Sequence, residues 1–272
     1  MENDRLRVEE RRSYPMKRLF DLTFAITALT IASPILLVST LLVWSQDGHS
    51  PFYLARRVAR GGGTFTMIKI RSMVVRAENS GVNSTGAHDD RITPVGRFIR
   101  RFKLDELSQF INVLTGDMSV VGPRPNTWVW GVELYTEAER NILTVRPGIT
   151  DLSSIVFSDE GEILDGAAHP DLLYNQIIRP WKSRLALWYV ANMSLSLDVR
   201  ICWLTAVAIL DRRRAVAGVV RLLEIFRADA ELIEVCRRDR RLPSAPPPGA
   251  TVVEMGSRYS GSESNSNTGV SV

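Results

Sequence analysis

Cysteine is scarce in this chain of 272 residues: Cys202 and Cys236 are the whole complement, far apart in sequence. That spacing supports neither a disulfide framework nor a cysteine-based zinc site, and two thiols fit a reducing compartment. A one-sided charge is also missing. The 34 Lys and Arg face 30 Asp and Glu, a net charge of +4 that does not by itself argue for nucleic acid. The basic patches lack interleaved aromatics on a sheet and a recognition helix, so a nucleic-acid partner is not expected. There is no internal repeat. Hydrophobic residues at 45% and charged residues at 24% are ordinary for a folded protein.

Long apolar stretches are limited to one, "LFDLTFAITALTIASPILLVSTLLVW" (19–44), whose single charge is Asp21. Its length suffices to span a bilayer as a helix. It is too long for a signal peptide, and no small-residue cleavage site follows. Arg11, Arg12, Lys17 and Arg18 lie upstream, and Arg56, Arg57 and Arg60 downstream. Positive charge on both flanks sets no orientation for a crossing. Ser33-Pro34 sits near the centre, where proline removes a backbone donor and bends a helix. The serine hydroxyl can serve a freed backbone group. Two arrangements fit: a helix that bends at Ser33-Pro34 and returns to the same face, and a kinked spanning helix. The shorter run "VRICWLTAVAIL" (199–210) reads as a core or interfacial helix, with Trp181, Trp188, Tyr189 and Trp203 nearby.

Beyond the apolar segment, "SPFYLARRVARGGGTFTMIKIRSM" (50–73) reads as two strands joined by a glycine turn. The triple glycine lacks the Lys-Ser/Thr pair of a phosphate loop. A polar loop (77–93) holds His88 beside Asp89 and Asp90, and reads as solvated. Helices are expected from about Pro94 and from about Leu104. In the second, Leu104, Leu107, Ile111 and Leu114 recur at helical spacing and predict a buried stripe, with Asp105, Ser108, Gln109 and Asn112 opposite. Prolines on both sides of Arg124 in "VVGPRPN" (120–126) stiffen a loop that can hold a guanidinium for an anion. "RPGIT" (146–150) is a second such turn. Asp159 and Glu160 form a second acid pair that reads as surface or loop.

Asp105 and Glu106 stand out because Arg91, Arg97, Arg100, Arg101 and Lys103 surround them. Neighbours on one helix point about 100° apart and do not easily flank a glycosidic bond from opposite sides. Metal-assisted phosphoryl transfer fits better. An aspartate can attack phosphorus, a neighbouring acid can hold Mg2+ with substrate phosphates, and arginines neutralise the developing charge. The plain alternative is a structural acid pair on a solvated face.

"KRLFD", "ASP", "KIRSM", "DDRITPVGRFIRR", "KLDELSQFINVLTGDMSVVGPRP" and "RPGIT" occur in that order. Over roughly residues 15 to 212 the sequence closely resembles the bacterial sugar transferase family, the polyprenyl-phosphate sugar-1-phosphate transferases of the small monotopic type. The resemblance implies transfer of a sugar-1-phosphate from a UDP-sugar to undecaprenyl phosphate with release of UMP, to begin exopolysaccharide, O-antigen, capsule or glycan assembly. It makes Asp105 the nucleophile of a phosphosugar-enzyme intermediate and gives Glu106, beside Asp105, to Mg2+. It places Lys69, Arg71 and Arg124 near the diphosphate or nucleotide, and Arg100 near the active-site and acceptor phosphates. Its membrane helix is re-entrant, with a Ser-Pro bend matched by Ser33-Pro34. The chain departs from the family pattern at Ala55 and Ala59, where Gln and Gly are usual, at Ser108, usually Pro, and in "DLSSIVFSDE" after "RPGIT".

The expected fold is therefore α+β and mostly α: a monotopic membrane protein with a re-entrant N-terminal helix, a small β-hairpin and amphipathic interfacial helices. A basic segment (1–16) precedes the membrane helix (17–46), a cytoplasmic catalytic domain (47–212), an amphipathic helix (213–242) and a disordered tail (243–272). Only 16 residues precede Lys17, which points to the short form of the family. The expected location is the cytoplasmic face of the bacterial inner membrane. A second copy of the chain and downstream glycosyltransferases are the candidate protein partners. The competing reading is a membrane-anchored scaffold of polysaccharide assembly without catalysis, which predicts no dependence on Asp105.

Overall fold

A computed structural model describes residues 14, 16–77, 89–129 and 131–253. Most of the 77–93 loop with His88, the first 13 residues and residues 254–272 lie outside the described residues. In chain order the elements are α1 (Lys17–Asp47), β1 (Phe52–Val58), β2 (Thr64–Ile70), α2 (Pro94–Arg101), α3 (Gln109–Thr115), β3 (Ser119–Val121), α4 (Glu137–Arg140) and β4 (Gly148–Thr150). They continue as α5 (Leu152–Val156), α6 (Glu160–Leu164), α7 (Pro170–Ile177), α8 (Arg179–Asn192), α9 (Leu195–Leu210), α10 (Arg212–Ile225) and α11 (Ala230–Arg237). The fold is mostly helical with a small antiparallel sheet, as expected.

Helix α1 runs as one helix through Pro34. Proline withholds the amide that would bond the Thr30 carbonyl, and the Ser33 hydroxyl donates to that carbonyl instead at 2.9 Å. Lys17, Asp21, Ala25, Ala32, Ser39 and Val43 form its buried face, while the apolar residues on the other faces stay open. The helix is tied down at both ends. At its start Lys17 ion-pairs with Asp198 of α9 and donates to the Val121 carbonyl at 2.9 Å. The Tyr14 and Tyr189 hydroxyls donate to the two oxygens of the same Asp198, each at 2.7 Å. Asp21 accepts from the Ser119 hydroxyl and the Val120 amide. At its end Asp47 accepts two bonds from Arg71, at 2.6 and 2.7 Å.

The sequence-predicted hairpin is present: β1 and β2 pair antiparallel, with Tyr53 opposite Lys69 and Arg57 opposite Phe65. Gly61 and Gly62 take φ of 76° and 86°, which side-chain-bearing residues rarely adopt, so the glycines make the turn. A second ladder was not legible in the sequence. β3 and β4 pair in parallel, joining "VVGPRP" to "RPGIT". Gly122 and Gly148 let these strands touch, since a Cβ on Gly148 would stand 2.1 Å from the Gly122 nitrogen.

The expected buried stripe is a correction. Ile111 is exposed and Leu104, Leu107 and Leu114 are only partly buried, whereas Asp105, Ser108, Gln109 and Asn112 are buried. The reason lies in β2, whose edge needs partners. Asn112 accepts from the Ile68 amide at 2.9 Å and donates to the Thr66 carbonyl at 2.7 Å, and Ser108 donates to the Ile68 carbonyl. Side-chain amides here do the work of a third strand.

Trp181 and Tyr189 belong to the core, while Trp203 is exposed on α9. The C-terminal region differs from the expected single helix and tail. α10 and α11 are separate, and residues 238–253 run without regular structure across the domain. Trp181 donates to the Pro243 carbonyl, the Ala245 amide to Gln176, and Arg184 to Pro246. Proline-rich composition suggested disorder, but prolines keep their carbonyls as acceptors, and buried donors on α8 use them.

Candidate active site

The dyad is delivered by a chain reversal. Thr93 caps α2 by accepting from the Gly96 amide, and Pro94 occupies the first turn, where no amide partner is needed. Gly96 permits contact with the preceding segment, since a Cβ there would fall 1.9 Å from the Ser72 carbonyl oxygen. After α2 the chain turns at Lys103, which takes φ 53°, into a 3-10 turn over Leu104–Glu106. That turn aims both carboxylates at β2.

Lys69 on β2 stands over the pair, its ammonium 3.9 Å from Asp105 and 3.5 Å from Glu106. Arg124 donates a short hydrogen bond to Glu106 from the loop after β3. Pairing of Gly122 with Thr150 (3.1 Å) and of Gly148 with Pro123 (2.9 Å) fixes that loop. The sequence-predicted Lys69, Asp105, Glu106 and Arg124 thus meet. Arg100 approaches from α2 and donates from Nε to the Ser72 hydroxyl at 3.0 Å. Arg71 lines the same cleft, but its guanidinium is engaged by Asp47 and the Ser50 carbonyl. Ser33 and Pro34 lie in α1, away from the cleft lining.

The two acids differ electrostatically. Burial raises Asp105 above the ordinary carboxylate value, opposed by the charges of Lys69 and Arg100. Burial would raise Glu106 too, but Arg124 and Lys69 outweigh it and bring its carboxyl down to about 2. Lys69 is itself lowered, first by its burial. Among the described residues the Asp105 carboxylate accepts no side-chain hydrogen bond and has one ion pair, with Lys69 at 3.9 Å, so it is held more loosely than Glu106. A carboxylate that is less stabilised as an anion is the stronger nucleophile of the pair.

The cleft encloses about 860 Å³. Its far wall comes from α7 and α8, where Tyr174, Arg179, Lys182 and Ser183 line it. Glu139, fully buried on α4, accepts from Arg179 at 2.9 Å and from Ser183 at 2.6 Å. Lys182 ion-pairs with Glu160, which places one member of the second acid pair on the cleft wall. Asp159 instead ties Arg212 and Arg238 to the domain, at 2.8 and 2.7 Å. None of the α7–α8 wall was singled out from sequence, because no local motif marks it. The Lys17–Asp21–Asp198 cluster was missed as well, although an ionisable pair at i, i+4 on the edge of an apolar helix was a usable signal.

No group of three or more His, Cys, Asp or Glu side chains suited to a metal occurs among the described residues. Two adjacent carboxylates on a cleft do suit Mg2+, which takes one or two protein carboxylates and completes its shell with phosphates and water.

A helical domain with a short hairpin, an acid pair under fixed cations and an open apolar helix combines a cleft suited to anionic groups with a helix long and apolar enough to cross a membrane. The bacterial sugar transferase family matches residues 12–212, and the chain belongs to it. It is a phosphoglycosyl transferase. The chain is 37% identical over 190 residues to the uncharacterized sugar transferase EpsL of Bacillus subtilis, covering 70% of this chain and 85% of that protein. It is 34% identical over 199 residues to the UDP-N-acetylgalactosamine-undecaprenyl-phosphate N-acetylgalactosaminephosphotransferase of Aeromonas hydrophila (72% of this chain, 44% of that one). It is also 34% identical over 218 residues to the undecaprenyl-phosphate galactose phosphotransferase of Salmonella typhimurium (75% of this chain, 42% of that one).

Proposed function

We propose that the chain moves a sugar-1-phosphate from a UDP-sugar to undecaprenyl phosphate through a phosphosugar carried on Asp105. The Asp105 carboxylate attacks the phosphorus that bears the sugar. The bond from that phosphorus to the bridging oxygen breaks, and UMP leaves. An oxygen of undecaprenyl phosphate then attacks the same phosphorus, forming the lipid diphosphate sugar and returning Asp105 to its carboxylate. Lys69 and Arg124 neutralise charge on the phosphate oxygens, and Arg100 serves the acceptor side. Arg71 acts through Asp47, holding the end of α1 beside the cleft. Mg2+ bound by Glu106 and Asp105 would supply further charge neutralisation on the donor diphosphate.

The observation that carries this reading is the asymmetry of the dyad: Arg124 and Lys69 hold Glu106, and among the described residues Asp105 beside it has only the longer contact with Lys69. Solvated acid pairs do not differ in this way. The relatives named for undecaprenyl-phosphate sugar transfer support the same donor and acceptor classes.

The reading includes a membrane. α1 is long and apolar enough to cross one, and only 17% of its most apolar window is buried. Phe98 on α2, Phe102 just after it and Ile111 on α3 add exposed apolar side chains at helices that pack against α1. Both ends of α1 are tied to one folded body, through Asp198 and Arg71. A crossing would separate those ends by a hydrocarbon core about 30 Å thick. Re-entry from the cytoplasmic face of the inner membrane would leave both ends on one side.

The test is nucleotide release by detergent-purified protein given Mg2+, undecaprenyl phosphate and a panel of UDP-sugars. UMP formed with one sugar and lost in Asp105→Asn supports the reading. UMP that persists in that variant moves the nucleophile elsewhere, UDP in place of UMP identifies a different transfer, and no release by folded protein favours the scaffold.

A further inference from the structure

Most cations lining the cleft already have a carboxylate. Lys69 and Arg124 share Glu106, Arg71 has Asp47, Arg179 has Glu139 and Lys182 has Glu160. Arg57 does not. It projects from the hairpin face that also carries Tyr53 and Lys69, because side chains alternate along a strand and Lys69 lies directly opposite Tyr53. It lines the cleft, half-buried, and among the described residues donates only to the backbone carbonyl of its neighbour Arg56, at 3.1 Å. No carboxylate lies within ion-pairing distance of it among the described residues. Its electrostatic neighbours are Tyr53 and Arg124, and its charge also reaches Lys69.

Arg57 therefore joins Lys69 and Arg124 in one group of cations on the cleft, of which Glu106 holds two. Burial and the repulsion of Arg124 both press the Arg57 guanidinium towards losing its charge. An arriving anion relieves both costs, and a guanidinium presents the fork that phosphate oxygens accept. Arg57 keeps company with Arg124, whereas the electrostatic neighbours of Arg100 are Asp105, Asp89 and Arg91. Arg100 sits on α2, which packs against α1, the side from which a lipid acceptor would enter.

We propose that Arg57 is a binding residue for the diphosphate of the donor nucleotide, acting with Arg124 and Lys69 across the cleft from the acceptor phosphate. This deepens the transferase reading and rests on it.

The test is isothermal titration of UDP into the detergent-purified full chain, without acceptor, for wild type, Arg57→Gln, Arg57→Lys and Arg56→Ala. Arg56 is exposed on the opposite hairpin face and serves as the control. Arg57→Gln should weaken UDP about tenfold or more, equivalent to ~1.4 kcal/mol. Arg57→Lys should keep part of that affinity, and Arg56→Ala all of it. The melting midpoint of the free protein and the KM for undecaprenyl phosphate should not move. UDP affinity in Arg57→Gln within about twofold of wild type overturns the proposal, since a charge-assisted bond to phosphate is worth more than that. A raised acceptor KM with normal UDP affinity assigns Arg57 to the lipid phosphate instead. A lowered melting midpoint with uniform losses makes it structural, and overturns the proposal too. Should Arg57→Gln not fold, the Lys variant is read by the same criteria. Failure of the wild type to bind UDP at all would sink the UDP-sugar donor reading itself, which separates the two failures.

Discussion

Asp105 and Glu106 are neighbours in sequence and opposites in state: burial raises the first, and the cations Arg124 and Lys69 hold the second at about 2. The consequences are measurable.

The rate of UMP release in the absence of acceptor should fall at low pH with a limb above the 3.8 of an ordinary aspartate. The sign follows from the chemistry, because protonation blocks the attacking lone pair and a raised pKa brings protonation on at higher pH. Glu106 stays ionised down to about 2 and adds no limb in that range. Lys69→Met removes a charge that lowers Asp105, so the limb should move to still higher pH. Single-turnover rates between pH 4 and 8 check both statements, and a limb that moves downward in the variant contradicts them.

The Arg124–Glu106 pair should also be visible in stability. Glu106 is lowered from 4.5 to about 2, so its contribution is present above 4.5 and is lost as pH falls towards 2. Arg124→Gln should cost about 1–2 kcal/mol at pH 7, modest because Arg124 is partly exposed and screened. The difference from wild type should shrink in melts at pH 3. A cost that is the same at both pH values would mean the arginine acts through packing.

Lys17 and Asp198 are both buried and come from distant parts of the chain. Asp198→Ala leaves an ammonium without its main partner, and breaking such a pair costs roughly 3–5 kcal/mol. Lys17→Met should cost more, because it leaves both Asp21 and Asp198 buried without a cation, whereas Asp198→Ala leaves Lys17 its contact with Asp21. Denaturation midpoints in detergent for wild type and the two variants test this, and a Lys17 variant no worse than the Asp198 variant would argue against it.

Glycines separate geometry from composition. Gly148→Ala should destabilise the β3–β4 pair and lower activity by disturbing the loop that carries Arg124, because a Cβ would collide with Gly122. Gly63→Ala, in the hairpin turn, meets nothing within 4 Å and has no positive φ, and should be near neutral. Parallel melts and turnover rates check the contrast.

Local patterns carried a large share of the fold and site. Ser33 and Pro34, two glycines at positive φ, and prolines around Arg124 each act within a few residues, so the helix, the hairpin and the stiff loop were legible. The dyad was legible for the same reason: two acids among cations need no distant partner to be noticed. What was misread depended on contacts between remote segments. The buried face of the Leu104–Leu114 region follows from the unpaired edge of β2, which Asn112 and Ser108 satisfy. No period in the sequence contains that need.

Covalent order and side-chain chemistry thus set which residues are carboxylates, cations and helix formers. Tertiary folding decided which carboxylate is held closely and which loosely, that Arg71 is engaged by Asp47, that Arg57 lines the cleft without a carboxylate among the described residues, and that the proline-rich C-terminal segment packs on α8. Those outcomes depend on distance and burial. Coulomb and desolvation energies act through space, and a sequence alone records only neighbours along the chain.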